Sequence, residues 1–328
     1  MMKRFLLRHW FLLALIALLA IGFLCAQALK TFADDFPTKA LVATVLFLMS
    51  WTLDSAKFGK AIGRPKAATL GVAVNMIIVP LLAWGVSRFL PSPLDVGMIL
   101  AAAVPCTLAS AAVWTRRAAG NDAVALVVTM VTNFACFVTT PLTLLYLSGA
   151  DVRGATALQG LVFQLFVIAV LPMLAGQLVR LIPTTAEFAT ENKTAVSVVA
   201  QLGILTMVLI GAARAGAKLA SPGALSFTYA DILLMLAAVC IVHVAALYGG
   251  FALGRAAGLP REDWIAVGIA GSQKTLMIGL VMALALDLGI GMLPMIGYHA
   301  VQLIIDTIVA DRLAARTPEI ERSPGLPS

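Results

Sequence analysis

Charge is scarce in this sequence. Of 328 residues, 23 are Lys or Arg and 16 are Asp or Glu, while 61% are hydrophobic and the mean hydropathy is +0.99. Soluble domains carry about 25% charged and roughly 45–50% apolar residues, so a soluble globular protein, a disordered chain and a nucleic-acid binder are excluded. The net charge of +7 does not reopen the last of these, because the basic residues lie between apolar stretches and form no continuous face. Cysteine is sparse too. Cys25, Cys106, Cys136 and Cys240 sit in apolar stretches with no CxxC or Cys/His spacing, which argues against a redox or metal centre and for small membrane-buried side chains. Also missing are GxxxxGK[ST], HExxH, GxSxG, a pair of intramembrane aspartates and a TVGYG-like filter. Nothing therefore points to an ATP-driven module, a membrane hydrolase or that type of channel. The expectation is a non-enzyme without a cofactor.

What fills the chain instead is a series of apolar segments at 10–28, 39–54, 67–87, 94–114, 122–147, 156–180, 195–213, 229–254, 264–287 and 293–311. Backbone groups in lipid must be satisfied within the segment, so these are expected to be ten transmembrane helices, an all-α polytopic fold. The N-terminal run Leu12–Cys25 follows Lys3 and Arg4 as in a signal peptide. It is about as long as a span and lacks a clean cleavage site, so it is read as the first helix. Outside Lys274, 16 of the Lys and Arg residues fall in the two tails and the even loops, among them Lys57, Lys60, Arg64, Arg116, Arg117, Arg316 and Arg322, against six in the odd loops. The positive-inside rule then places both termini in the cytoplasm, and the expected location is a bacterial inner membrane.

Ten spans divide into two five-helix halves of opposite topology, 1–150 and 151–312, with a cytoplasmic tail at 313–328. Two interruptions stand at matching places. Val104-Pro105-Cys106-Thr107-Leu108-Ala109-Ser110 breaks the fourth segment, and Gly268-Ile269-Ala270-Gly271-Ser272-Gln273-Lys274-Thr275 breaks the ninth. A pair of interrupted helices at corresponding positions is a sequence pointer to a midplane binding site.

Lys274 is the most informative residue. A lysine at a helix centre costs about 2.5–3.5 kcal/mol on insertion scales. It is expected either to pair with Asp306 on the tenth span or to face a water-filled cavity, binding an anion or alternating between charged and neutral forms. Around it stand Ser272, Gln273, Asn75, Thr107 and Ser110 (three apart and so on one helix face), Thr129, Thr132, Asn133, His299 and Gln302. Singly, each Ser or Thr reads as helix–helix glue. As a set they suggest the lining of one polar cavity. His243 stands by itself and reads as a packing residue, Asp287 as a solvated boundary charge, and Arg116 and Arg117 as anchors.

At this point the sequence resembles the bile acid:sodium symporter family over most of its length. The likeness is carried by Phe47-Leu48-Met49-Ser50-Trp51-Thr52-Leu53, Gly71 to Pro80, Pro105 to Ser110 running on to Gly120-Asn121, and Tyr298-His299. The resemblance implies a panel of spans 1, 2, 6 and 7, a core of spans 3–5 and 8–10, and broken helices 4 and 9 crossing at the substrate and ion sites. The departures are specific. Asn75 stands where sodium-coupled members carry glutamine. Ile269 stands where they carry a glutamate four residues before the ninth-helix glutamine, Ser110-Ala111 replaces a serine–asparagine pair, and Ala125 replaces a serine. Lys274 follows Gln273 directly, as in a divergent branch of the group. The resemblance therefore implies a transporter in which sodium coupling is disfavoured, and a buried lysine that can discharge its proton leaves a proton open as the coupling ion.

The reading that unites these features is a secondary transporter of a small organic anion (bile-acid, keto-acid or pantoate-like) working by alternating access, with Lys274 standing in as a tethered cation. The alternatives are a cation/proton antiporter-like carrier, for which no aspartate pair is found, and a non-transporting membrane regulator of ion entry.

Overall fold

The computed structural model describes residues 2–54, 65–108, 110–148, 155–221 and 227–315, with side chains described from Trp10 in the first helix and from Leu158 in the eighth. Lys57, Lys60, Arg64, Arg153, Pro222, Arg316 and Arg322 lie outside the described residues, as do the side chains of Lys3, Arg4 and Arg8 and the tail beyond Ala315.

Every regular element among the described residues is a helix. The first half comprises α1 (Met2–Leu24), α2 (Ala26–Asp35), α3 (Thr38–Trp51), α4 (Pro65–Ser87), α5 (Leu94–Ala103), α6 (Ala111–Arg117) and α7 (Asp122–Leu147). The second half comprises α8 (Leu158–Arg180), α9 (Pro183–Glu191), α10 (Lys193–Leu219), α11 (Tyr229–Ala256), α12 (Arg261–Ser272), α13 (Leu276–Ala285) and α14 (Leu293–Ala315). Local chemistry sets several of these starts. Pro65 and Pro183 open helices where a missing N–H costs nothing. The Asn121 side chain accepts the amides of Ala123 and Val124 to begin α7, and Thr228 with Asp231 forms a reciprocal cap on α11.

Seven of these helical stretches are long and apolar enough to cross a membrane: α4, α7, α8, α10, α11, the α12–α13 pair and α14 with the short turn before it. The bent pair α1–α2 makes an eighth if counted as one span. The chain is an integral membrane protein. α3 and α5 have 14 and 10 residues, and at 1.5 Å per residue neither alone reaches across about 30 Å of hydrocarbon.

The first segment departs from expectation. A continuous span over 10–28 is not formed, because α1 stops at Leu24 and α2 leaves at 103°. The sequence from Gln27 to Asp35 explains the turn. Polar Gln27, Lys30, Thr31, Asp34 and Asp35 surround a small face whose Ala26 and Ala33 are buried, so this stretch is amphipathic and does not continue through lipid. Arg214 of α10 donates to the Ala33 carbonyl through Nε (3.1 Å) and Nη2 (2.6 Å), placing a cation at the negative end of α2. Cys25 is consequently an exposed residue at the turn, not a buried one inside a span.

The helices sort into two packed groups. In one, α1, α2 and α3 lie on α10, and α3 also lies on α8. In the other, α11 packs on α12, α4 and α14, α7 on α4, α5, α6 and α12, and α14 on α5 and α6. Close backbone approach needs glycine at two places here. A Cβ on Gly97 would stand 1.8 Å from the Gly291 carbonyl oxygen, and one on Gly250 would stand 2.7 Å from the Gly268 Cα. Buried polar side chains are divided unevenly. Among the described residues the first group holds only Ser50 and Thr52, whereas the second holds all the others, Lys274 and Asp306 included.

Candidate functional site

The site lies where two helices lose their regular backbone. α5 ends at Ala103 because Val104 precedes a proline and is forced extended, with ψ 155°. Helix resumes only at Ala111. The freed groups of this first break are taken up by α7. Asn133 Nδ2 donates to the Cys106 carbonyl (2.7 Å), Thr132 Oγ1 accepts the Cys106 amide (3.2 Å), and Thr140 donates to the Ala103 carbonyl (3.0 Å). Thr129 bonds the Ala125 carbonyl of its own helix (2.8 Å) and reaches the Cys106 sulfur (3.4 Å). Thr107 and Ser110 do not share a helix face as expected, since neither residue lies in a helix. Thr107 is buried, and Ser110 Oγ donates to Gln273 Oε1 (3.0 Å).

The second break follows α12. Gln273 and Thr275 are extended (ψ 141° and 133°), and the Thr275 amide donates to the Pro105 carbonyl (2.9 Å), so the two breaks join backbone to backbone. A helix C-terminus leaves carbonyls without partners, and here two helices, α4 and α14, supply them. Asn75 Nδ2 lies within reach of the carbonyls of Ala270 (3.2 Å), Gly271 (3.1 Å) and Gln273 (2.9 Å). Tyr298 Oη donates to the Ser272 carbonyl (2.9 Å). Gln302 accepts the Lys274 amide and donates to the Lys274 carbonyl, both at 2.9 Å, and meets His299 Nδ1 at 2.9 Å.

Lys274 is 3% exposed, and its ammonium is held by three neutral oxygens: the Asn75 carbonyl (2.5 Å), Asn75 Oδ1 (3.2 Å) and the Val104 carbonyl (3.0 Å). An ammonium has three donors, so all are used. The Asn75 carbonyl is available for a reason written in the sequence. α4 widens into a π turn over Val74–Ile78, where the Val79 amide bonds the Val74 carbonyl five residues back. In that register the partner of Asn75 is Pro80, which has no N–H. The lysine fills the place of the missing donor.

Asp306 is not the partner of Lys274. Its Oδ1 meets His243 Nε2 at 3.0 Å and its Oδ2 accepts Gln273 Nε2 at 2.6 Å, with all three side chains fully buried. Lys274 has no carboxylate partner among the described residues. His243 is therefore not the isolated packing residue that the sequence suggested. The signal was available, since two titratable residues stand mid-helix on α11 and α14. The remaining charges lie at the periphery. Asp287 is exposed and pairs with Lys218 at 2.8 Å, Arg116 pairs with Asp122, and Arg117 pairs with Asp311 at 2.6 Å while covering the Trp114 ring. Beside α6 a cavity of about 80 Å³ opens between the two helix groups, lined in part by Thr52, Asp54, Arg116, Lys193, Ser197 and Gln201. No group of three or more His, Cys, Asp or Glu among the described residues is placed to hold a metal ion.

The profile of the SBF-like CPA transporter family matches residues 9–315. The chain belongs to that family. This bile acid:sodium symporter-like membership makes it a membrane transporter. Its relatives include the uncharacterized protein PA2026 of Pseudomonas aeruginosa, 26% identical over 93% of each chain. A chloroplastic protein of rice (Oryza sativa), named probable sodium/metabolite cotransporter BASS4, is 26% identical over 91% of this chain and 74% of its own. The uncharacterized sodium-dependent transporter YocS of Bacillus subtilis is 29% identical over 51% of this chain and 52% of its own.

Proposed function

We propose that this transporter moves an organic anion by alternating access without using sodium, with Lys274 as a tethered cation at the crossing of its two broken helices. In this reading ten spans form two inverted halves, 1–150 and 151–312. α1, α3, α8 and α10 make a panel, and the helices around the breaks make a moving core. The protein sits in a bacterial inner membrane with both termini cytoplasmic.

The observation that carries the reading is the ammonium of Lys274 held by three neutral oxygens. Carbonyl and amide oxygens at that spacing are how a protein dehydrates a small cation, and here the cation is covalently attached. The carboxylate that would neutralise it is replaced by buried Ile269. A positive charge in a low-dielectric core acts over a long range, so it attracts an anion toward the cavity beside α6, whose lining carries Arg116 and Lys193 as well as Asp54. The lysine itself has no donor to spare in this conformation. The anion is thus bound through the field and the cavity polar groups Ser197 and Gln201, and part-apolar carboxylates suit such a cavity.

The names of the two sodium-linked relatives favour a second reading in which sodium drives transport. The two part cleanly in proteoliposomes. Uptake of labelled pyruvate, pantoate and taurocholate is expected to persist when sodium is replaced by potassium, and to be lost in Lys274→Met. Uptake that needs sodium and survives Lys274→Met would overturn the proposal. No anion movement by the folded wild type would return the chain to a regulator of ion entry.

A further inference from the structure

The mechanism so far leaves one buried titratable pair unused. His243 of α11 and Asp306 of α14 are both fully buried, 3.0 Å apart, in the interior of long helices. The other ring nitrogen, His243 Nδ1, is buried with no partner. A buried polar atom without a partner normally needs a reason. A packing histidine would turn Nδ1 to a carbonyl, whereas this ring presents one nitrogen to a carboxylate and leaves the other without a partner. The pair is also wired to the transport site. Asp306 Oδ2 accepts Gln273 Nε2, Gln273 Oε1 accepts Ser110, and Gln273 directly precedes Lys274. One amide thus touches the pair and both helix breaks.

We infer that His243 and Asp306 form a proton-binding site that couples proton movement to the anion drawn in by the charge of Lys274. The inference rests on the anion reading above. The charges balance simply. A neutral imidazole with a carboxylate carries −1, and one proton shared in the N···O contact brings the pair to 0. With Lys274 at +1, proton binding takes the buried site from 0 to +1, and an anion then restores neutrality. One proton and one monovalent anion travel together. The pair empties when the carrier opens to the side of lower proton concentration. The other titratable groups facing the pair are Tyr298, whose ring stands edge-on to His243 at 5.5 Å, and, on the elements packed around Gln273, Lys274 and Cys106. His299 lies beyond Gln302. None of these adds a second carboxylate, so the site holds a single exchangeable proton.

The test uses the full chain in detergent with histidine ring labels, and then the same protein in vesicles filled with a pH-sensitive dye. The chain has three histidines, and His243→Gln assigns the resonance. The His243 ring signal is expected to move with pH in the wild type and to stop moving in Asp306→Asn. A His243 signal that stays fixed between pH 4 and 9 overturns the site. In vesicles, external pyruvate or taurocholate is expected to acidify the wild-type lumen, with acidification lost in both His243→Gln and Asp306→Asn. Anion entry without acidification overturns the coupling and leaves the anion reading intact. If no anion enters, the anion reading fails and the coupling with it, while the ring titration still decides whether the proton site exists. Thermal unfolding of each variant shows whether it is folded.

Discussion

α4 and α8 carry the same backbone device and use it differently. Each widens into a π turn, Val74–Ile78 in one and Phe166–Val170 in the other, and each places a proline five residues after the second residue of that turn. In both, the turn amide pairs one register later than in an α-helix, and proline withholds the next donor. In α4 the residue facing this gap is Asn75, fully buried, and a lysine from another helix reaches its carbonyl. In α8 the equivalent residue is Val167, which is 39% exposed and apolar. A π turn followed by proline is thus not itself a site. It supplies a bare carbonyl, and the side chain at that position with its burial decides whether a cation is gathered there.

The comparison is broken most severely by making α4 like α8. Asn75→Val strips the amide that serves the Ala270, Gly271 and Gln273 carbonyls. Leaving buried acceptors unmade costs roughly 1–3 kcal/mol each, so unfolding in detergent is expected to fall by several degrees, with anion uptake abolished. An unchanged midpoint would show that these carbonyls find other partners. Pro80→Ala is a subtler intervention. It returns an N–H to α4 and lets the helix compete with Lys274 for the Asn75 carbonyl, so uptake is expected to drop about tenfold (about 1.4 kcal/mol) while stability holds or rises. A loss of both would mean that the proline matters for packing. The reverse experiment, Val167→Asn, puts an amide on α8 with no lysine to meet it. A cost of about 1 kcal/mol and unchanged uptake are expected, measured by unfolding and flux on the same preparation. Pro172→Ala is expected to do least, with stability shifted by less than about 1 kcal/mol and transport unaltered.

Much of the fold was legible in the sequence because hydropathy speaks directly to helix position in a membrane protein. Most apolar segments coincide with observed helices to within a few residues; the exceptions are the turn at Cys25, the extension of α10 to Leu219 and the short helix α9, which no segment anticipated. The breaks were legible too, through Pro105 and the run Gly271-Ser272-Gln273. Partner choice was not. Lys274 and Asp306 were the opposite charges deep in neighbouring spans, so a pair was one of the two expectations for the lysine. The structure instead separates them, because a carbonyl freed by Pro80 and another beside Pro105 offer the ammonium oxygens at closer range. Such backbone acceptors have no signature of residue type. His243 was misread for the opposite reason: its partner is 63 positions away, a separation that hydropathy and helical spacing do not bridge.

The central claim is that Lys274 replaces the sodium of related carriers, and it is tested most directly by the sodium dependence of anion uptake in wild-type and Lys274→Met proteoliposomes prepared side by side. The account predicts equal wild-type uptake in sodium and potassium media and none from the variant in either. Wild-type uptake that collapses without sodium, together with uptake by Lys274→Met that sodium sustains, would contradict it.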